Sequence, residues 1–187
     1  MKTFFCAILC TSLIAFLPSC SGGEEKKVLS PRDSLVHFID SMEQRIQANK
    51  SANMLDKNLA NNALSAYQQF AMSYKKDSLT AWYLFRGADL ASSALGIHEH
   101  ALEMYDEIIN NHPTFPKYPE ALFLAGFISQ DKMQNGERAK KYYDKLIANY
   151  PDHEFVDDAK AMMSFFGKSD EEIVKEFEKK NEEKMNK

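Results

Sequence analysis

Residues 139–151, AKKYYDKLIANYP, contain the pattern that decides the fold. Residues 101–113, ALEMYDEIINNHP, carry the same alanine, tyrosine and closing proline 38 positions earlier. Residues 63–75 carry the alanine and the tyrosine another 38 positions back. A fixed period of about 20–50 residues indicates stacked repeats, because a single repeat cannot bury its apolar face alone. The recurring pairs are Ala63 and Tyr67, Ala101 and Tyr105, and Ala139 and Tyr143.

Helix signals fill the rest of the chain from Ser30 onward. Ser30 and Pro31 offer a capping serine followed by proline at the first helical position. Gly96 and Gly167 follow segments with helical apolar periodicity, where glycine commonly ends a helix. Residues 169–172, SDEE, form a capping box that would open a last helix. Since no segment alternates apolar and polar residues, we expect an all-α fold with seven or so helices and no strand.

Paired helices with Ala-x-x-x-aromatic in the second member resemble tetratricopeptide repeats. In that family the small residue lets the two helices cross closely, and the aromatic residue one turn later fills the gap between them. The alanine precedes the closing proline by 12 residues in both later repeats (101 to 113 and 139 to 151), as in the family. The resemblance implies a tetratricopeptide-like solenoid of about three helix pairs with a C-terminal capping helix, within residues 30–187.

The first helices depart from the family pattern. Trp82 and Gly87 are misspaced for its first-helix signature, and Ala125 and Gly126 are a remnant of it. The period is 38 residues, against about 34 in the family. Lys75 stands where the first repeat would have its proline. An unrelated helical bundle is the alternative fold.

The first 19 residues have the pattern of a secretory signal peptide. A basic start, Met1-Lys2, precedes an apolar run from residue 3 to 16, which is too short for a membrane span. Leu17-Pro18-Ser19-Cys20 then resembles the bacterial lipoprotein box. The resemblance implies cleavage before Cys20 and diacylglycerol on its thiol. An accidental cysteine is the alternative, but this one ends the apolar run, and residues 20–29 begin as a polar, glycine-containing tether.

Composition and motifs argue against several other functions. The first 19 residues hold one lysine and no acid, so the remainder has 22 basic and 27 acidic residues, a balance of −5 that disfavours nucleic-acid binding. His98 and His100 project about 200° apart on a helix and would not share a metal ion. Outside the signal, Cys20 is the remaining cysteine, so the covalent lipid is the one cofactor expected. No phosphate loop or nucleophile motif is present, which predicts that the protein is not an enzyme.

The residues of the first helices are the candidates for partner binding, because these helices line the concave face in the family. Trp82, Arg86 and Asp89 follow one another at i, i+4 and i+7, and Trp and Arg are the residue types that dominate binding energy at interfaces. One repeat later, Glu120, Leu124 and Phe127 occupy the matching positions. The alternative for Trp82 is ordinary core packing against the preceding helix pair.

Together, the repeats and the lipid box resemble small tetratricopeptide lipoproteins of Gram-negative bacteria, such as the outer-membrane-barrel assembly and Tol-associated division-coordinator groups. The resemblance implies a lipid-anchored, non-catalytic adaptor of the outer membrane that holds an envelope protein, with its periplasmic or surface exposure left open. The alternative is a self-associating structural lipoprotein. Its seam would be a narrow stripe on the first helix, formed by Leu35, Ile39, Met42 and Ile46.

Overall fold

The computed structural model describes residues 28–51 and 56–185. The predicted signal peptide, Cys20 and the tether up to residue 27 lie outside these residues. Every regular element within them is helical, as predicted. The eight α-helices are α1 (Pro31–Ser51), α2 (Lys57–Ser73), α3 (Thr80–Asp89), α4 (His98–Asn111), α5 (Tyr118–Phe127), α6 (Gly136–Asn149), α7 (Phe155–Ser164) and α8 (Asp170–Met185).

Consecutive helices pack against each other and build a stack of pairs. The pairs are α1 with α2, α3 with α4 and α5 with α6, while α2–α3, α4–α5 and α6–α7 contacts join one pair to the next. Helices α7 and α8 follow the third pair. The predicted helical-repeat solenoid is confirmed. No helix within residues 28–51 and 56–185 combines the length and the hydrophobicity needed to cross a bilayer.

The recurring alanine and tyrosine lie at the centre of each pair, as the repeat pattern predicts. Ala63, Ala101 and Ala139 are at most 1% exposed, and the three tyrosines are at most 3% exposed. In the third pair, the partner helix carries a small residue at the facing position. A Cβ atom placed on Gly126 of α5 would lie 2.5 Å from the ring of Tyr143 in α6. Small residues therefore face aromatic rings from both sides of the crossing.

The apolar core falls into two clusters. The larger one extends through α3, α4, α5, α6 and α7. The smaller one lies between α1 and α2 and is completed by Tyr83 from α3. Tyr83 packs edge-on against Phe70 of α2, with ring centroids 4.8 Å apart, so one aromatic ring of the second pair closes the core of the first.

The apolar stripe of α1 is used inside the chain. Ile39 and Met42 are 0% and 5% exposed, and Leu35 and Ile46 pack against the same cluster beside them. This burial against α2 contradicts the suggestion that the stripe is an oligomer seam, because its side chains already have intramolecular partners.

Helix ends follow the predicted capping chemistry with small shifts. Ser169 and Glu172 form the predicted capping box, in which each backbone N–H donates to the other's side chain, at 2.8 and 3.3 Å. Asp56 and Asn135 cap α2 and α6 by accepting from backbone N–H groups at 3.0 Å. Pro119 is the second residue of α5, within the first turn, where proline is tolerated because its missing N–H would have no helical partner.

Two π-helical segments end α3 and α5 at equivalent positions, a feature that the sequence did not predict. They span Leu90–Leu95 and Ile128–Lys132, and their first residues are 38 apart. A backbone hydrogen bond that spans six residues closes each segment. The N–H of Ile97 donates to the carbonyl of Ala91 at 2.8 Å, and the N–H of Asn135 donates to the carbonyl of Ser129 at 2.7 Å. The 38-residue period therefore also holds in the backbone of α3 and α5, although the side chains of these helices do not follow it.

A residue with left-handed backbone follows each π segment, directly after the first and one residue later, beyond Met133, after the second. Gly96 has φ 72°, and Gln134, which is 38 positions later, has φ 52°. Glycine adopts this conformation freely, whereas a side chain costs about 1–2 kcal/mol there. Nothing lies within 4 Å of a Cβ placed on Gly96, so any substitution there would act through backbone strain alone.

We expect opposite effects from substitutions at these two positions. Gly96→Ala should lower the free energy of unfolding by about 1 kcal/mol, because alanine is strained at positive φ. Gln134→Gly should raise it by about 0.5 kcal/mol, because relief of strain exceeds the added entropy of the unfolded chain. Urea unfolding followed by circular dichroism measures both, and the same sign for both variants would contradict the assignment.

Candidate protein-binding surface

The five predicted contact residues lie on α3 and α5, but they do not form one cluster. Arg86 and Asp89 are exposed, and Trp82, Glu120 and Phe127 are partly buried. None of the hydrogen bonds, ion pairs or ring contacts within the described residues joins two of the five. Trp82, Arg86 and Glu120 contact different neighbours, and these neighbours complete the surface.

Trp82 combines core packing with partial exposure. Its ring meets the ring of Phe115 edge-on, with centroids 4.9 Å apart and planes at 83°. Phe115 lies in the α4–α5 connection and is 7% exposed. The tryptophan therefore packs towards the following repeat rather than the preceding one, and it leaves part of its ring at the surface.

Arg86 is held by the first helix pair. Its Nη1 donates to both carboxylate oxygens of Glu43 in α1, at 2.6 and 2.8 Å. The hydroxyl of Tyr67 in α2 donates to the same carboxylate at 2.9 Å. Burial, together with the nearby Glu43 charge, raises the pKa of Tyr67 above the ordinary tyrosine value, so the hydroxyl stays a donor. Arg86 thus ties α3 to α1, and a partner would have to compete with Glu43 for it.

Glu120 lies in a polar pocket that the sequence analysis missed. Lys117 Nζ lies 3.4 Å from Glu120 Oε1, and His153 Nε2 lies 3.9 Å from Oε2. Oε2 is buried and accepts no hydrogen bond from any of the described residues. His153 Nδ1 accepts from the backbone N–H of Phe155 at 3.3 Å, which turns Nε2 towards the carboxylate.

Aromatic rings extend this pocket back to α3. Lys117 Nζ lies 5.6 Å from the centroid of the Phe85 ring, and Phe85 lies 5.9 Å from Phe115. We call the resulting group the first-helix strip; it consists of Trp82, Phe85, Phe115, Lys117, Glu120 and His153. It joins aromatic area to a carboxylate with one unpaired oxygen, which suits recognition of an N–H group or a cation.

Asp89 and Phe127 lie at the far end of α3 and α5 from this strip, immediately before the two π segments. They stay candidate contact residues that the structure does not connect to Trp82 or Glu120. Lys117, Phe115 and His153 had no sequence signal of their own. His153 is 33 positions from Glu120 in the sequence, and it reaches Glu120 because α7 packs against α5.

The histidines near the start of α4 have separate partners. His98 Nδ1 lies 3.1 Å from the hydroxyl of Ser92, and His100 Nδ1 lies 2.9 Å from Glu103. Nε2 of His100 contacts the amide of Gln68 in α2. Among the described residues, no three His, Cys, Asp or Glu side chains are grouped so that they could hold a metal ion.

Comparison with known proteins supports one repeat directly. The tetratricopeptide repeat family model matches residues 120–153, which contain most of α5, all of α6 and the connection to α7. The matched stretch begins at Glu120 and ends at His153, so its two ends meet in the pocket described above. No curated protein and no solved structure matches the chain. Residues 120–153 therefore form a tetratricopeptide-like repeat within an all-helical stack, a class that typically binds proteins.

We expect a measurable coupling between Arg86 and Glu43. In a double-mutant cycle with Arg86→Ala and Glu43→Ala, the pair should contribute about 0.5–1 kcal/mol to the free energy of unfolding, the range for a partly exposed ion pair. Urea unfolding of the four proteins at low salt measures it, and added salt should weaken it. Arg45→Ala, an exposed arginine on α1, is the control and should change stability little. A coupling of zero would mean that Arg86 is free for a partner.

Proposed function

We propose that the protein is a lipid-anchored, non-catalytic adaptor of the bacterial cell envelope, which holds a partner protein on its helical-repeat surface. The observation that carries the proposal is the first-helix strip on the tetratricopeptide-like repeat. Its half-buried Trp82 offers apolar area, and Glu120 Oε2 is a buried acceptor without a donor. A buried acceptor left unpaired is unfavourable by about 1–3 kcal/mol, so a partner N–H would gain stability there if its binding moved Lys117 or His153 aside to open Oε2.

The partner segment that fits this strip would carry an apolar side chain beside a donor. The apolar side chain would cover Trp82 and Phe85, while the donor, a backbone N–H or a basic side chain, would reach Glu120. Lys117 and His153 flank the carboxylate and limit the space for a bulky cation. Asp89 and Phe127 would contact a partner that extends along α3 and α5 towards the π segments. The net negative charge of the mature chain agrees with a basic donor.

The membrane anchor in this proposal is Cys20. Leu17-Pro18-Ser19-Cys20 supports signal cleavage and diacylglycerol attachment at that thiol. Two or more acyl chains hold a protein firmly, at about 0.8 kcal/mol per buried CH₂ group. The anchor would confine adaptor and partner to one membrane surface and raise their effective concentration without any further contact. We propose the outer membrane as that surface.

Lipidation at Cys20 predicts a processing defect. Cys20→Ala should accumulate as an uncleaved precursor that takes up no radiolabelled palmitate, because the attachment atom is lost. Ser21→Ala, one residue later, is the matched control and should be processed and labelled normally. Immunoblotting and palmitate labelling in cells follow both proteins. A Cys20→Ala variant that is cleaved to the size of the wild-type protein would contradict the proposed anchor.

Binding through the first helices predicts where crosslinks form. A photocrosslinking amino acid at Asp89, exposed on α3, should capture a discrete partner, whereas the same group at Glu107, exposed on α4, should not. Adding Trp82→Ala or Glu120→Gln should reduce the Asp89 crosslink by about 30-fold if either residue contributes 2 kcal/mol or more to binding.

Circular dichroism is needed alongside, because Trp82 also packs against Phe115 and its truncation lowers stability. Glu120→Gln keeps the side-chain shape and separates loss of the acceptor charge from loss of fold. Two results would contradict the proposed binding surface. One is equal crosslinking from Asp89 and Glu107, and the other is an Asp89 crosslink that neither substitution reduces although both variants are folded.

A further inference from the structure

The chain enters the stack at one defined end, and the first helix is fixed there by a charge pair. Arg32 in the first turn of α1 donates from Nε and Nη2 to the two carboxylate oxygens of Asp77, at 2.6 and 3.0 Å. Asp77 lies in the α2–α3 connection, so the start of α1 and the end of α2 are held side by side. Hydrogen bonding from Arg32 lowers the pKa of Asp77 below its ordinary value.

Apolar side chains are exposed at this end. Among the described residues, Val28 and Met72 are the two most exposed large hydrophobic side chains, at 93% and 75%. Val28 precedes α1, and Met72 is in the last turn of α2. Leu29 beside them is 43% exposed. Arg32, four residues after Val28, contacts Asp77, five residues after Met72, so these exposed apolar side chains lie at the same end of the stack and are candidates for a contact surface.

The charged side chains at this end leave a positive excess. Lys75 and Lys76 follow α2 and are exposed, and within the described residues neither forms an ion pair. Arg32 contacts both acids beside them, Asp33 and Asp77, so three basic and two acidic side chains leave an excess of one positive charge. We call the group of Val28, Leu29, Met72, Lys75 and Lys76 the entry face. Lysines next to exposed apolar side chains suit the boundary between anionic headgroups and acyl chains.

The sequence limits how far this face can lie from the proposed anchor. Seven residues separate Cys20 from Val28. Fully extended, that spacer reaches about 25–30 Å, and as a flexible coil it spans about 15 Å. A chain anchored at Cys20 would therefore hold Val28, the first described residue, within about 25–30 Å of the membrane surface.

We propose that the entry face rests on the bilayer surface to which the protein is anchored. Val28, Leu29 and Met72 enter the headgroup region, and Lys75 and Lys76 face the phosphates of anionic lipids. The inference rests on the proposed lipid anchor and adds the orientation of the domain. The helices stand upright on the membrane, and Trp82, near the start of α3, faces a partner close to the lipid surface.

Matched cysteine substitutions at two exposed methionines test this orientation. Met72 is on the entry face, whereas Met133, 37% exposed, follows the π segment after α5 at the opposite end of the helices. Met72→Cys and Met133→Cys are made in the full chain, purified from membranes and labelled with a fluorophore. Each is reconstituted in phosphatidylethanolamine vesicles with and without phosphatidylglycerol, with a nitroxide quencher on the lipid headgroups.

The label at residue 72 should be quenched several-fold more than the label at residue 133. Adding Lys75→Glu and Lys76→Glu should lower the quenching at 72 and abolish its dependence on phosphatidylglycerol. Circular dichroism should show all variants folded, because the four replaced side chains are exposed.

Mass spectrometry of the same samples separates two failures. If Cys20 carries lipid and the two labels are quenched equally, the orientation is overturned while the anchor stands. If Cys20 carries no lipid, the proposed anchor fails and the orientation falls with it.

Discussion

The close crossing of two helices at a buried alanine is the constraint on which the rest of the structure depends. Ala101 and Ala139 are fully buried, and each is followed one turn later by a tyrosine that fills the space where the helices diverge. Gly126 allows the same close approach from the opposite helix, since a Cβ atom there would lie only 2.5 Å from the ring of Tyr143. A larger side chain at any of these points would separate the pair and open the core on both sides.

Polar contacts then set how successive pairs are aligned. Arg138 of α6 donates to Glu99 of α4 at 2.8 Å, and Tyr142 donates to Asp106 at 2.8 Å. Burial is the main cause that raises the pKa of Tyr142, to about 12, so its hydroxyl remains a donor at neutral pH. On the first helices, Glu43 and Arg86 make the corresponding link. Because such links lie at the rim of an apolar contact, they contribute more to alignment than to stability.

The second helices and the helix ends could be predicted from the sequence, because they depend on local signals. The alanine–tyrosine spacing, the capping box at Ser169 and the left-handed Gly96 each act within one helix or one turn. The polar pocket around Glu120 could not be predicted, since His153 reaches it through the stacking of α7 on α5. The apolar stripe of α1 was predicted, with a self-association seam offered as the alternative use for it, and the structure packs the stripe against α2. Periodicity shows that a face is covered, and it does not distinguish a neighbouring helix from a second chain.

The two π segments show that the repeat extends beyond the alanine–tyrosine pairs. A π turn closes its hydrogen bond one residue further along the chain than an α turn, and it occurs mostly as a single turn within an α-helix. Leu90–Leu95 and Ile128–Lys132 lie at the same phase of the repeat and are closed by equivalent hydrogen bonds. The distortion therefore belongs to the repeated unit: it recurs with the period of the alanine–tyrosine pairs, so the backbone of α3 and α5 keeps a repeat that the side chains of these helices do not show.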